Sequence, residues 1–204
     1  MKIAVLGATG RTGRLVVARA LERGHEVVAL ARNPADVEPS DRLRVVQADV
    51  AEPGSAAAAV EGVDVVLSGL GVTRKQEPAI LVEGARELAS AAPRVIWLTS
   101  LGMGSTEGAL GAVTGALLKR LLRHEWAAKG VADRVLRDAG GTTVHAGPLT
   151  DKAYQGNGFL LHTKDFKPRA LPPTAPRAGI AALMVTEAET PRFADADTIA
   201  LFPR

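Results

Sequence analysis

Lys2-Ile3-Ala4-Val5-Leu6-Gly7-Ala8-Thr9-Gly10-Arg11-Thr12-Gly13-Arg14 is the stretch on which the reading of this chain turns. Lys2 to Leu6 is a short apolar run, the pattern of a strand covered on both faces. Gly7, Gly10 and Gly13 follow at three-residue spacing. Leu15, Val16, Ala18, Ala20 and Leu21 then recur with a helical period that stops at Gly24. Strand, glycine turn and helix in that order form the context that a dinucleotide-binding fingerprint requires. The first glycine permits a tight turn, the second lets backbone approach a pyrophosphate, and the third lets helix and strand pack closely. The N–H groups that begin a helix lack intrahelical acceptors and suit an anion. An ordinary strand-to-helix turn, with glycines serving packing alone, would have the same spacing.

Working outward, His25 to Ala31 reads as the second strand, closed by Arg32-Asn33-Pro34. At that strand end an acidic residue suits the ribose 2′-hydroxyl of NAD, and an arginine the 2′-phosphate of NADP. Arg32 holds the place, with Arg11 and Arg14 in the first turn, so NADP(H) is expected over NAD(H). A solvated surface arginine would look the same. Leu43 to Gln47 is the third strand. Asp49 follows, placed to accept from an adenine amino group, to cap the next helix, or both. Pro53 to Val60 reads as a short alanine-rich helix and Val63 to Leu67 as the fourth strand, leaving through Ser68-Gly69-Leu70-Gly71.

Glu77 to Ala92 reads as a helix and Arg94 to Leu98 as the fifth strand, ending in Thr99-Ser100. Leu110 to Asp138 is the longest helical candidate. Leu110, Val113, Leu117, Leu121, Val131 and Val135 follow its apolar period, Lys119, Arg120 and Arg123 make a solvated face, and Gly130 is a candidate interruption. Thr142 to Ala146 is the sixth strand. From Asp151 glycines and prolines break up the chain, leaving a short strand at Phe159 to His162, a helix at Arg177 to Thr186 and a strand at Thr198 to Phe202.

Strands alternating with helices predict a Rossmann-like α/β fold, a doubly wound parallel sheet with right-handed crossovers. Residues 1–204 are expected to form one domain, with 151–204 contributing a small loop-rich lobe on the substrate side. Ligands of such sheets bind at the carboxyl ends of the strands, where Gly7, Arg32, Asp49, Ser68 and Ser100 all fall.

Aromatic residues make up only 3%, so Ala, Val and Leu must build the core. The excess of 25 Lys and Arg over 22 Asp and Glu is mild and scattered, without the basic stripe that nucleic acid requires. Cysteine is absent, which excludes disulfides, thiolate metal sites and a cysteine nucleophile. The histidines lack metal-ligand helix spacing, so no metal is expected. No apolar run is long enough to span a bilayer and no signal-peptide pattern opens the chain, so a cytoplasmic protein without a membrane partner is expected. The oligomeric state is not legible.

Gly7-Ala8-Thr9-Gly10-Arg11-Thr12-Gly13, together with Ala31-Arg32-Asn33-Pro34, Ala48-Asp49-Val50, Leu98-Thr99-Ser100 and Gly147-Pro148-Leu149-Thr150-Asp151, resembles a known group. It is similar to the atypical short-chain dehydrogenase/reductases with an NAD(P)H-binding domain, nearest the biliverdin reductase B/flavin reductase-like and NmrA-like members. The resemblance runs from the start of the chain to Asp151, with a weaker echo at Arg177 to Ala181. It implies that Gly7, Thr9, Gly10, Arg11, Thr12 and Gly13 surround the pyrophosphate and that Arg32 binds the 2′-phosphate. It places Asp49 and Val50 at adenine, Ser68, Gly69 and Leu70 along the nicotinamide-side ribose, and Ser100 beside the nicotinamide. Ser100 is the catalytic candidate, although no basic partner for it is evident in the sequence.

The chain departs from that superfamily where a tyrosine with a lysine four residues later is usual. Glu125-Trp126-Ala127-Ala128-Lys129 stands there, and the only tyrosine is Tyr154. An ionised glutamate cannot donate a proton to a developing alkoxide as a phenol can. Pro148 stands where some of the flavin-reductase-like branch carry a histidine. Two function classes stay open. One is an NADPH-dependent reductase that delivers hydride to a flavin, quinone or similar flat acceptor, the proton coming from water. The other is an NADP(H)-binding redox sensor without turnover.

Overall fold

The computed structural model describes residues 1–72 and 76–203. Its strands are β1 (Lys2–Leu6), β2 (Glu26–Ala31), β3 (Leu43–Gln47), β4 (Val65–Ser68), β5 (Val95–Ser100), β6 (Thr142–Ala146), β7 (Leu149–Thr150), β8 (Phe159–His162), β9 (Ala175–Pro176) and β10 (Asp197–Leu201). The helices are α1 (Gly13–Glu22), α2 (Ser55–Ala59), α3 (Ala79–Ala91), α4 (Ala112–Leu121), α5 (Arg123–Asp138) and α6 (Arg177–Glu189). The main sheet has eight strands in the order β3-β2-β1-β4-β5-β6-β10-β8, with β7 and β9 pairing separately. The β1–β2, β2–β3, β1–β4, β4–β5, β5–β6 and β6–β10 pairs are parallel, and β8 alone is antiparallel.

The apolar run of β1 is continuous because both of its faces are covered. Successive side chains of a strand point to opposite faces. Ile3 and Val5 enter a core with Val16 and Ala20 of α1 and Ile180 and Met184 of α6. Ala4 and Leu6 enter a second core with Leu81 and Leu88 of α3 and Leu136 of α5. This is the expected Rossmann-like arrangement, and strand order reverses at β1, between β2 and β4. After Asp151 the expected strand, helix and last strand form: β10 and β8 extend the sheet, and α6 runs on to Glu189, buried along most of its length. Among the described residues no helix is long and apolar enough to cross a membrane.

The long helical candidate divides elsewhere than expected. It breaks at Leu122 (φ −103°, ψ 18°), and Gly130 continues inside α5. Leu110 is buried, packed with Leu101, Phe166, Ile199 and Leu201. The rest of the first apolar stripe is not core: Val113, Leu117 and Leu121 of α4 are 84%, 63% and 67% exposed. Val131 also faces out, at 40%. Periodicity locates a stripe, whereas the break at Leu122 decides which half of it reaches the sheet.

Candidate functional site

The glycine turn has the geometry that its spacing implies. Gly7 has φ +76°, and a Cβ there would lie 3.1 Å from the Gly69 backbone. Gly10 N–H donates to Gly7 O at 2.9 Å and the residue is exposed. A Cβ on Gly13 would stand 2.0 Å from Gly7 O, so α1 can start this close to β1 only with glycine there. Thr12 precedes α1 without capping it through its side chain, and the first turn of α1 holds no acidic residue. The Arg14 N–H donates to Gly10 O at 3.0 Å, and the positive dipole end of α1, with no acidic side chain in its first turn, faces the glycine turn.

Beside this turn a cavity of about 460 Å³ opens at the carboxyl ends of the strands. Its lining brings together Gly7, Thr9, Gly10, Arg32, Asp49, Val50, Gly69 and Leu70, along with Glu77 and Ile80 near α3. Arg32 is exposed at the end of β2 and has no carboxylate partner among the described residues. Asp49 Oδ1 accepts from Ala51 N–H at 3.0 Å, and the Asp49 N–H donates to Ser55 Oγ at 3.0 Å. Asp49 thus orders the turn before α2 while lining the cavity. A wider depression of about 990 Å³ runs along the β2–β3 edge past Pro34 and Arg42 and contains none of the candidate site residues.

Other expected positions lie outside that lining. Thr12 and Gly13 sit behind the turn, both buried. Arg11 points outward and pairs with Asp151, which also receives Arg177 Nη1 at 2.8 Å. Ser68 is fully buried, and its Oγ accepts from Leu70 N–H at 3.3 Å, which shapes the exit of β4. Tyr154 stacks edge-on against Phe202 with ring centroids 5.9 Å apart, and its hydroxyl accepts from Gly158 N–H at 3.3 Å.

Ser100 ends β5 and, contrary to the sequence expectation, has a basic partner: Lys129 Nζ donates to Ser100 Oγ at 2.7 Å. Lys129 also pairs with Glu125 at 3.0 Å, one helical turn earlier on α5. The Lys129 and Glu125 side chains are only 16% and 19% exposed, held between α5 and the end of β5. Salt screens such a pair less than a surface one, while desolvation of both charges offsets part of its attraction.

Behind Ser100 lies a buried polar cluster that the sequence reading missed. His145 of β6 is fully buried, with Nδ1 3.3 Å from Ser100 O and Nε2 3.2 Å from Ser105 Oγ. Burial pushes the Asp133 carboxyl up to about 6, although His145, Thr99 and Lys129 oppose it. Burial would also raise Asp197, but His145, Thr143, Ser105 and Arg137 outweigh it and hold that carboxyl at about 2. One signal was available in the sequence: Glu125, Lys129, Asp133 and Arg137 recur every fourth residue with alternating sign, on a single stripe of α5.

A model of the NAD(P)H-binding family matches residues 7–191. The protein YwnB of Bacillus subtilis is 36% identical over 90 residues, which is 44% of this chain and 40% of that protein. The chain thus spans less than half the length of that curated relative. Among solved structures, the oxidoreductase ylbE of Lactococcus lactis is 22% identical with TM-score 0.83, covering 100% of this chain and 92% of that one. The anaerobillin reductase ChuY of Escherichia coli O157:H7 is 20% identical with TM-score 0.79, each chain covered completely at 100%.

Proposed function

Because the chain belongs to the NAD(P)H-binding family, we propose that it is an NADPH-dependent reductase of a flavin, quinone or similar flat conjugated small molecule. The observation that carries this reading is the exposed Arg32 guanidinium, without a carboxylate partner, on the rim of a cavity whose floor is the glycine turn. A fixed cation at that strand end suits a 2′-phosphate, whereas a ribose hydroxyl would ask for a carboxylate. The residues fit the cofactor: the backbone of Gly7, Thr9, Gly10 and Gly13 and the uncapped start of α1 suit the pyrophosphate, with Arg11 and Thr12 beside it. Asp49 and Val50 take the adenine, Gly69 and Leu70 form the wall by the second ribose with the buried Ser68 shaping that exit from behind, and Ser100 stands at the nicotinamide end. When bound, NADPH supplies the hydride. The chain binds it, orients it and shields it from water within a single domain formed by residues 1–204, the segment after Asp151 closing the acceptor side.

With Glu125 in the place where the resembling superfamily uses tyrosine, alcohol dehydrogenation lacks its phenol donor, and a conjugated acceptor is the better match. The test is NADPH oxidation with FMN or a quinone added, against NADPH alone, with binding titrated separately. Acceptor-dependent oxidation supports the reading. Stoichiometric NADPH binding without oxidation across the panel would replace it with a redox sensor.

A further inference from the structure

We infer that α4 is a membrane-docking helix, which lays its outer face on the surface of a bilayer containing anionic lipid. Val113, Leu117 and Leu121 recur every fourth residue and so share one stripe of the helix, about 12 Å long at ~1.5 Å per residue. All three stand out from the protein, at 84%, 63% and 67% exposure. Leu118, on the other side of the helix, packs on the cluster of Leu101, Leu110 and Phe166, which anchors α4 and fixes the side that faces out. Leu171 adds a fourth exposed apolar side chain. It follows Ala170, whose carbonyl accepts from Thr114 Oγ1 at 2.6 Å, so it is held beside the first turn of the same helix. An exposed apolar patch with a polar rim marks an interaction surface.

The rim decides the occupant. Lys119 and Arg120 of α4 and Arg123 just beyond it supply the charge. Arg120 and Arg123 are exposed and have no ion pair among the described residues. Lys119 meets Glu107 at 3.3 Å and lies 5.5 Å over the Trp126 ring, so one carboxylate offsets three cations. Glu125, the next acid along, is turned inward to Lys129. An apolar stripe edged by Lys and Arg is the arrangement of a helix lying in the interface plane. The apolar side chains enter the acyl boundary, while the long cationic stems run beside them and leave their heads among anionic head groups. A second copy fits worse, because two-fold packing of this patch would set the three cations of one chain against those of the other. Peripheral docking needs no spanning segment, so it agrees with the absence of a bilayer-crossing helix among the described residues and sets aside only the expectation of no membrane partner. His124 Nε2, just past α4, lies 3.3 Å from Gln76 O, and Gln76 lines the cavity beside the glycine turn, so the docked face ends at the rim of that cavity.

The experiment sediments the full chain with sucrose-loaded vesicles of phosphatidylcholine alone and of phosphatidylcholine mixed with phosphatidylglycerol, at low and high salt. Two double variants are compared with the native protein: Leu117→Ser with Leu121→Ser, and Arg120→Glu with Arg123→Glu. All four side chains are exposed, so both variants should keep a cooperative melt. Because the chain has no cysteine, Leu117→Cys takes a single polarity-sensitive dye, and Ala18→Cys on α1, across the sheet, serves as the control. The expected result is sedimentation with the mixed vesicles only, weakened by salt. Each double variant should partition less by roughly tenfold or more. The dye at position 117 should shift to the blue and be quenched by brominated lipid, and the dye at position 18 should do neither. Absence of vesicle binding, equal binding of the leucine variant, or an unquenched dye at position 117 overturns the inference. A dimer in lipid-free ultracentrifugation that the leucine changes abolish, without vesicle binding, assigns the patch to a second copy and overturns it as well. NADPH titration of the variants should match the native protein, so failure here leaves the reductase reading untouched.

Discussion

Asp133→Asn is expected to change the pH dependence of stability more than any other single substitution in the buried polar cluster. Asp133 is 3% exposed. Its Oδ2 accepts from Thr99 Oγ1 at 3.1 Å, while Oδ1 is buried with no hydrogen-bond partner among the described residues. Burial, with some help from Asp197, raises the carboxyl from 3.8 to about 6 despite His145, Thr99 and Lys129. The folded state therefore holds this proton more tightly than the unfolded chain does. The contribution to stability is fully present below 3.8 and is lost as pH rises through about 6. At ~1.4 kcal/mol per tenfold the loss comes to about 3 kcal/mol. Asn keeps the shape and removes the titration. Urea unfolding of native and variant from about pH 4 to pH 8 should then show their difference growing by roughly 2.5 kcal/mol in favour of the variant. The fixed cost of placing an amide there shifts the whole curve and does not alter this growth. Parallel pH profiles for the two proteins would refute the reasoning, since Asp133 would then titrate alike in the folded and unfolded states.

Arg32→Ala should weaken NADPH binding by about ten- to a hundredfold, through lost charge-assisted hydrogen bonds of roughly 1.5–3 kcal/mol each, and leave NADH nearly unchanged. Calorimetric titration with both cofactors checks it, and equal losses would rule out a 2′-phosphate role. Two glycines of one turn should separate binding from folding. Gly10→Val, with a Cβ 3.1 Å from Gly7 O, should retain a cooperative melt and lose NADPH binding. Gly13→Val, with a Cβ 2.0 Å from the same oxygen, should lose the melt itself. Asp197, held at about 2, contributes stability that is present above 3.8 and lost as pH falls toward 2. Asp197→Asn should therefore lower stability at neutral pH and flatten the acid limb of the unfolding profile; an unchanged acid limb would show that the His145, Thr143, Ser105 and Arg137 contacts do not act on it in solution.

By itself the sequence determined the parallel sheet and the place of its glycine turn, because both rest on local patterns. The stretches Lys2 to Leu6 and Val63 to Leu67 read as buried strands from local pattern alone, and Gly7, Gly10 and Gly13 fall within one turn. The cavity rim was legible for a related reason. In a parallel sheet all strand ends converge, so Arg32, Asp49 and Gly69 meet without knowledge of any side-chain contact. Only the tertiary structure decided what depends on two elements meeting from afar. The Val113, Leu117 and Leu121 stripe has a core-like period yet lies exposed, because the break at Leu122 turns α4 away from the sheet while α5 packs. Ser100 looked unpartnered because Lys129, 29 positions away, reaches it only when α5 lies along β5. His145, Asp133 and Asp197 come from a strand, a helix and another strand; burial lifts the Asp133 carboxyl and the contacts of Asp197 with His145, Thr143, Ser105 and Arg137 lower its own only once those elements pack together.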